Sequence, residues 1–179
     1  MVELYLRSPL GHRAADLERI AAVEVPHLAQ IDVRCEAADA ERLGFPLTPN
    51  TVTGTGERGV LWLGPDEWLV VGLPGVAPSL IAELETALDT THHAIVDVSA
   101  NRAVIELRGD ERHELLASGC SLDLEAAGGW VPRRCAQTMF ARTQVILQEM
   151  TDATRVFVRP SFANHVVDRL LAALAVTPR

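Results

Sequence analysis

The chain has 179 residues, 48% of them hydrophobic and 22% charged, enough apolar side chain to offset the entropy of ordering a domain, so wholesale disorder is excluded. Its 16 basic residues are all arginine, which rules out a Schiff-base lysine, a P-loop lysine and a Ser–Lys nucleophile pair. A net charge of −8 provides no field for phosphate backbones, and nucleic acid is not expected as a partner.

The acidity is unevenly placed. Residues 1–90 carry 14 acids against 6 arginines, whereas residues 91–179 carry 10 of each. Three cysteines, Cys35, Cys120 and Cys135, are odd in number and lack CxxC spacing, as expected of a reducing compartment. Glu3 and Arg7 interrupt the stretch a signal peptide would need, and no run is long enough to span a bilayer. A soluble, cytoplasmic chain with no membrane partner is the expectation.

Alternation predicts strands over 2–7 and about 28–35, each with one wet face, around a short helix from Ala14 to Val23 that Pro26 stops. A helix from Ala37 to Leu43 should close at Gly44, and the Pro-, Thr-, Asn- and Gly-rich stretch from Phe45 to Gly59 reads as a mobile loop. Val60–Trp62, Gly64-Pro65-Asp66 and Glu67–Val71 spell strand, turn, strand. Pro78 to Leu88 repeats at helical spacing. His92 to Ala100 reads as a strand pairing with Arg102 to Arg108, after which Asp110 should cap a helix from Glu111 to Ala117. A connector over Leu124 to Arg134 is followed by strand from Cys135 to Gln148 and from Arg155 to Val158. Ser161 then caps a terminal helix with a stripe of Phe162, Val166, Leu170, Leu171 and Leu174.

This order predicts an α+β fold, mainly antiparallel sheet with helices packed on one side, in a single domain over 1–179. Two split β-α-β-like halves, 1–90 and 91–179, are compatible with it.

No constellation of reactive residues survives inspection. Gly54-Thr55-Gly56-Glu57-Arg58-Gly59 has GxGxxG spacing, but the strand-like Val60-Leu61-Trp62-Leu63 follows where a helix should, and Ser79 stands where a ribose-binding acid would. His93 and Asp97 on one strand would be about 13 Å apart, too far for a triad with Ser99. His92 and His93 point to opposite faces, and His165 with Asp168 supplies only two ligands for a metal. Cys135 has no local base to form a thiolate. No catalytic, cofactor-binding or metal-binding residue is therefore assigned. Trp62, Trp68 and Trp130 with Arg133, Arg134 and Arg159 have the composition of a partner-binding surface, although core burial fits Trp62 and Trp68 equally well.

Leu61-Trp62-Leu63-Gly64-Pro65-Asp66-Glu67-Trp68-Leu69, Val96-Asp97-Val98-Ser99 with Arg102 and Gly109, Cys135-Ala136-Gln137-Thr138 and Arg159-Pro160-Ser161-Phe162-Ala163 together resemble the γ-subunit family of heterotetrameric sarcosine oxidases. The resemblance implies a fold similar to the folate-binding part of aminomethyltransferase, the glycine cleavage T protein. It also implies an accessory role without a catalytic residue. The partners it implies are a directly contacted α subunit, with β and δ completing a complex that demethylates sarcosine to glycine and passes the methylene group to tetrahydrofolate. FAD, FMN, NAD, tetrahydrofolate and zinc are implied for the other subunits and none for this chain. The alternative is a free-standing folate-binding, aminomethyltransferase-like protein; the KGCYxGQE signature of its iron–sulfur maintenance relatives is missing at Arg134-Cys135-Ala136-Gln137.

Overall fold

Short elements, each too small to bury its own apolar face, assemble into four layers in the computed structural model, which describes residues 7–54, 57–124 and 129–175. A 3-10 turn (Gly11–Arg13) leads into α1 (Ala14–Arg19) and β1 (Ala22–Glu24), followed by β2 (Ala29–Arg34), α2 (Ala37–Arg42), β3 (Val52–Gly54), β4 (Arg58–Gly64) and β5 (Glu67–Gly72). Next come α3 (Ala77–Leu88), β6 (Ala94–Asp97), β7 (Ala103–Arg108) and α4 (Arg112–Ala117), then β8 (Cys135–Phe140), β9 (Thr143–Glu149), β10 (Ala153–Val158) and α5 (Pro160–Leu174).

The strands form two five-stranded antiparallel sheets, in the orders β1-β7-β10-β9-β8 and β3-β4-β5-β2-β6. Their inner faces meet in an apolar layer in which Leu61, Leu69 and Val71 oppose Val104, Ile146 and Phe157. Outside the first sheet, α1, α4 and α5 cover Ile105, Leu147 and Val156 with Leu17, Leu116, Val166 and Leu170. Outside the second, α2 and α3 cover Ile31, Val33 and Val70 with Ala40, Leu80, Leu84 and Leu88. The α+β class and antiparallel pairing are as the sequence predicts. There are two such sheets, each helix-covered on its outer face, because both faces of the central strands are apolar enough to need burial.

Several local expectations give way to this arrangement. The strand predicted over 2–7 lies outside the described residues except for Arg7. The 28–35 strand is wet only toward its end, where Asp32 is half-buried and Arg34 exposed; Gln30 is buried on the inner side and Ile31 on the outer. The first helix ends at Arg19, because Ala21 turns left-handed at φ 49° and feeds β1, a strand that composition hid. Phe45 to Gly59 contains β3, and Phe45 and Pro46 are buried. Asp110 does not cap α4, whose start has no side-chain cap, and α5 opens on Arg159 with Pro160 in its first turn rather than on Ser161. Phe162 faces outward, while Ala163, Val166, Val167, Leu170 and Ala173 make the buried stripe.

The largest departure is β6, which pairs with β2 and not with the strand from 103. Asp97 Oδ1 accepts hydrogen bonds from the Ser99 amide (2.9 Å) and hydroxyl (2.6 Å), a local turn that halts the strand. The chain then crosses to the other sheet. Gln30 holds this crossover: its amide donates to Ser99 Oγ at 3.0 Å and its Nε2 to the Arg102 carbonyl at 3.1 Å. β1 and β6 thus each join a sheet built otherwise from the opposite half of the chain.

Trp68 shows how tightly the second sheet closes. It is 0% exposed, donates its indole N–H to the Pro46 carbonyl at 2.8 Å, and stacks on Phe45 with centroids 6.0 Å apart. Replacing it by alanine removes that packing and leaves a cavity, so Trp68→Ala is expected to cost about 4 kcal/mol of unfolding free energy in a urea titration.

Candidate functional site

The candidate residues fall at opposite ends of the sandwich. β9 carries Gln144 toward one end and Glu149 toward the other, about 17 Å apart at strand rise. Arg159 lies at the Gln144 end; Trp130, Arg133 and Arg134 lie at the Glu149 end. Trp68 is buried in the second sheet's outer core, which withdraws it from any partner surface. Trp62, half-buried, packs against that same core. The structure does not gather the six into one patch.

The Glu149 end is a knot of satisfied charges. Glu149, 2% exposed, accepts from Arg112 Nη2 at 2.9 Å and His113 Nε2 at 3.0 Å through Oε1. Its Oε2 accepts from the Trp130 indole at 2.7 Å and from the Thr154 hydroxyl. One carboxylate thereby pins α4, the loop bearing Trp130 and β10. Half-buried Trp130 also packs on the first sheet's outer core, so its indole N–H is committed internally.

On the inner face of the same sheet, Glu106 takes Arg108 Nε and Nη2 at 3.0 and 2.8 Å on Oε1 and Arg155 Nε at 3.1 Å on Oε2. Burial works against its ionised form, but the hydrogen bonds from Arg108 and Arg155 outweigh it and hold the carboxyl below its ordinary range. Neither acid was singled out in the sequence, and of their partners only Trp130 was. The signal that marks Glu106 and Arg155 is their period-two register with the inner-facing Val104 and Phe157, where an ion must be paired.

The remaining sequence candidates are turn and packing elements. Gly54 and Gly59 pair across the β3–β4 hairpin; at φ 93° Gly54 brings its backbone so close to Arg58 that a Cβ would lie 2.1 Å from the Arg58 carbonyl oxygen. His93 bonds Glu85 at 3.0 Å and the Thr91 carbonyl at 2.9 Å, far from service to Ser99, and the Glu85 contact raises its pKa. His165 Nε2 contacts the Ala141 carbonyl, while Asp168 accepts from Arg13 at 2.7 Å, tying the amino-terminal region to α5. Cys135 is buried, with Sγ near the Thr51 and Trp62 carbonyls at 3.4 Å, and desolvation pushes its pKa to about 12. Among the described residues no cluster of three or more His, Cys, Asp or Glu could hold a metal.

The other end differs. A cavity of about 270 Å³ opens there on the first sheet, floored by Ile146 and Phe157 and ringed by Arg102, Arg159, Gln137, Gln144 and Met139. Gln137 Nε2 donates at 2.9 Å to the carbonyl of Leu63, which the register shift between Trp62 and Gly64 leaves outside the regular ladder. The sequence-level surface included Arg159 but passed over its neighbours. A larger cleft of about 640 Å³ is lined by Asp97 and Ser99, by Glu24, Gln30 and Arg102, and by apolar residues that include Val25, Leu28, Val104 and Pro160.

Two measurements check these environments. Glu106→Gln is expected to lose about 3 kcal/mol near neutral pH by leaving Arg155 without its anion. Because the folded carboxyl is depressed, its stabilisation is present above the ordinary carboxylate range and lost as pH falls through the lower folded value, so the variant's stability should fall less steeply in acid. Cys135 should resist iodoacetamide at pH 8 in the native protein and react once urea unfolds it, as mass spectrometry of the labelled peptide would show.

The family model for the sarcosine oxidase gamma subunit family matches residues 29–175. The chain is 30% identical over 187 residues to the sarcosine oxidase subunit gamma of Corynebacterium sp. (strain U-96), covering 94% of this chain and 90% of that one. It is 31% identical over 183 residues to its counterpart in Arthrobacter sp, with 94% and 89% covered. A chain of the heterotetrameric sarcosine oxidase from Corynebacterium sp. U-96, solved in complex with pyrrole 2-carboxylate, superposes with a TM-score of 0.85 at 30% identity over 94% of each chain. The glycine cleavage system aminomethyltransferase T of Bartonella henselae superposes at 0.65 with 16% identity, over 93% of this chain and 50% of that one, a likeness of fold alone. With most of its length matched in both sequence and structure, this chain belongs to the sarcosine oxidase gamma subunit family.

Proposed function

We propose that the chain is the accessory γ subunit of a heterotetrameric sarcosine oxidase, with no bond chemistry of its own. It docks directly on the α subunit, with β and δ completing a cytoplasmic complex that oxidatively demethylates sarcosine to glycine and passes the methylene group to tetrahydrofolate. FAD, FMN, NAD, tetrahydrofolate and zinc belong to the other subunits in this reading. Among the described residues, no helix is long and apolar enough to cross a membrane.

The observation that carries the proposal is the match over 94% of each chain to a chain of a heterotetrameric oxidase, at a TM-score of 0.85. It is supported by where the ionisable groups go. Glu106, Glu149 and Asp97 direct their oxygens to internal donors, as structural groups do. The role left to such a chain is burial of a partner's surface through apolar contact and a few Trp and Arg anchors, which a standard interface of about 1,600 Å² provides. Trp62, Trp130, Arg133, Arg134 and Arg159 remain the anchors proposed, without Trp68.

Expressed alone, the chain is expected to be colourless and to show no sarcosine turnover. Coexpressed with the α subunit, it should be recovered in a stable complex in which mass spectrometry identifies α. Turnover by the isolated chain would overturn the proposal. Micromolar binding of tetrahydrofolate to the isolated chain, measured by calorimetry, would instead favour a free-standing folate-binding protein.

A further inference from the structure

The cavity at the Gln144 end is built from one row of the first sheet. Val158 pairs with Ala103 on one side and Val145 on the other, so the next row outward brings Arg102, Arg159 and Gln144 side by side, and Met139 follows opposite Gln144. Period-two alternation sends all four toward the space between the sheets, directly above the apolar row of Val104, Phe157 and Ile146. Two guanidinium groups thus stand adjacent at the mouth of a concave site.

Among the described residues, no carboxylate comes within 4.0 Å of Arg102 or Arg159, whereas Arg13, Arg34, Arg58, Arg108, Arg112 and Arg155 all make such pairs. Burial, and then the charge of Arg159, lower the proton affinity of Arg102; Asp32 and Glu67 are felt only at a distance, and Glu67 is already held by Arg34 at 2.7 Å. In a chain of net charge −8, this is a concentrated positive site with amide side chains on its walls and no carboxylate among its described lining residues.

We infer that this cavity is the docking point for a carboxylate side chain on a neighbouring subunit, gripped between Arg102 and Arg159. The inference rests on the accessory-subunit reading above and gives that subunit one contact of stated chemistry. Charge complementarity chooses the ligand, since paired guanidinium groups match the two oxygens of a carboxylate. The surroundings choose its source. Arg159 is exposed and the cavity is open, so a free small anion would be held in water, where such ion pairs are weak. A protein surface laid over the site would exclude that water and strengthen the pair. Met139 at 44% exposed and Phe162 at 45% exposed, the latter one turn into the helix that Arg159 opens, supply apolar contact of the kind found at interface centres. β8, the edge strand of the first sheet among the described residues, borders the cavity as well, its edge bridged at Phe140 by Cys120.

The test uses the whole complex, coexpressed and purified through a tag on the α subunit. Arg102→Glu with Arg159→Glu should reduce co-purification of this chain about tenfold, with the isolated variant melting within about 2 °C of the parent. A photo-crosslinking residue at position 139 should label a partner peptide containing Asp or Glu, and converting that acid to arginine should restore recovery of the charge-reversed variant. Equal recovery of parent and variant would overturn the inference while leaving the accessory role intact. Failure of the parent chain itself to co-purify would overturn both. Saturable, submillimolar binding of succinate to the isolated parent, lost in the variant while assembly is unaffected, would replace the docked side chain with a small carboxylate. Equal, non-additive loss of stability in Arg102→Gln and Asp32→Asn would show instead that Arg102 serves Asp32 within the fold, and would also overturn it.

Discussion

Every central strand here is buried on both faces, and that constraint governs the placement of each polar group. Two sheets meeting across an apolar layer, with helices on their outer sides, leave no wet face on which a polar side chain can rest. Most polar residues are therefore driven to the ends of the layer or into hydrogen-bonded networks, while Asp32 Oδ1 and Gln148 Oε1 stay buried without a hydrogen-bond partner among the described residues. Gln30 spends its amide groups on the crossover at Ser99 and Arg102, Gln137 bridges to the other sheet at Leu63, and Glu106 collects two arginines. A buried polar group without such a partner would cost more than most single contacts supply, so these links also fix the register and stacking of the sheets.

The same constraint separates structural charge from available charge. Glu149 and Glu106 look like active-site acids by burial alone, yet each is saturated by donors that the fold itself brings. The pair at Arg102 and Arg159 is the reverse: one step beyond the apolar row, on the inner face, with no carboxylate within 4.0 Å among the described residues. An accessory subunit has a use for this asymmetry. Its satisfied networks hold the scaffold rigid, while its unsatisfied charges wait for a surface that the isolated chain does not possess.

Sequence order and spatial order diverge at two short strands. β1 has three residues and β6 has four, too few for alternation to announce their partners. The Asp97–Ser99 turn could be read as a reactive pair or as a hairpin, but it instead redirects the chain between sheets. The Ala141–Arg142 turn of the β8–β9 hairpin carries positive φ at both residues, 48° and 69°, without the glycine or asparagine that normally signals it, so Cys135 to Gln148 reads as continuous strand.

Composition and local pattern alone determined the α+β class, the β4–β5 hairpin, α2, α3 and the terminal helix, because turn residues and apolar spacing act over a few neighbours. The blocks around Trp62 to Trp68 and Arg159 to Ala163 carried the family resemblance for the same reason: each is contiguous. Tertiary structure alone decided that there are two sheets, that Trp68 is core, and that Arg102 meets Arg159 across 57 residues of chain. Pairing between distant strands depends on which faces must be buried together, a property of the whole molecule that no window of sequence contains.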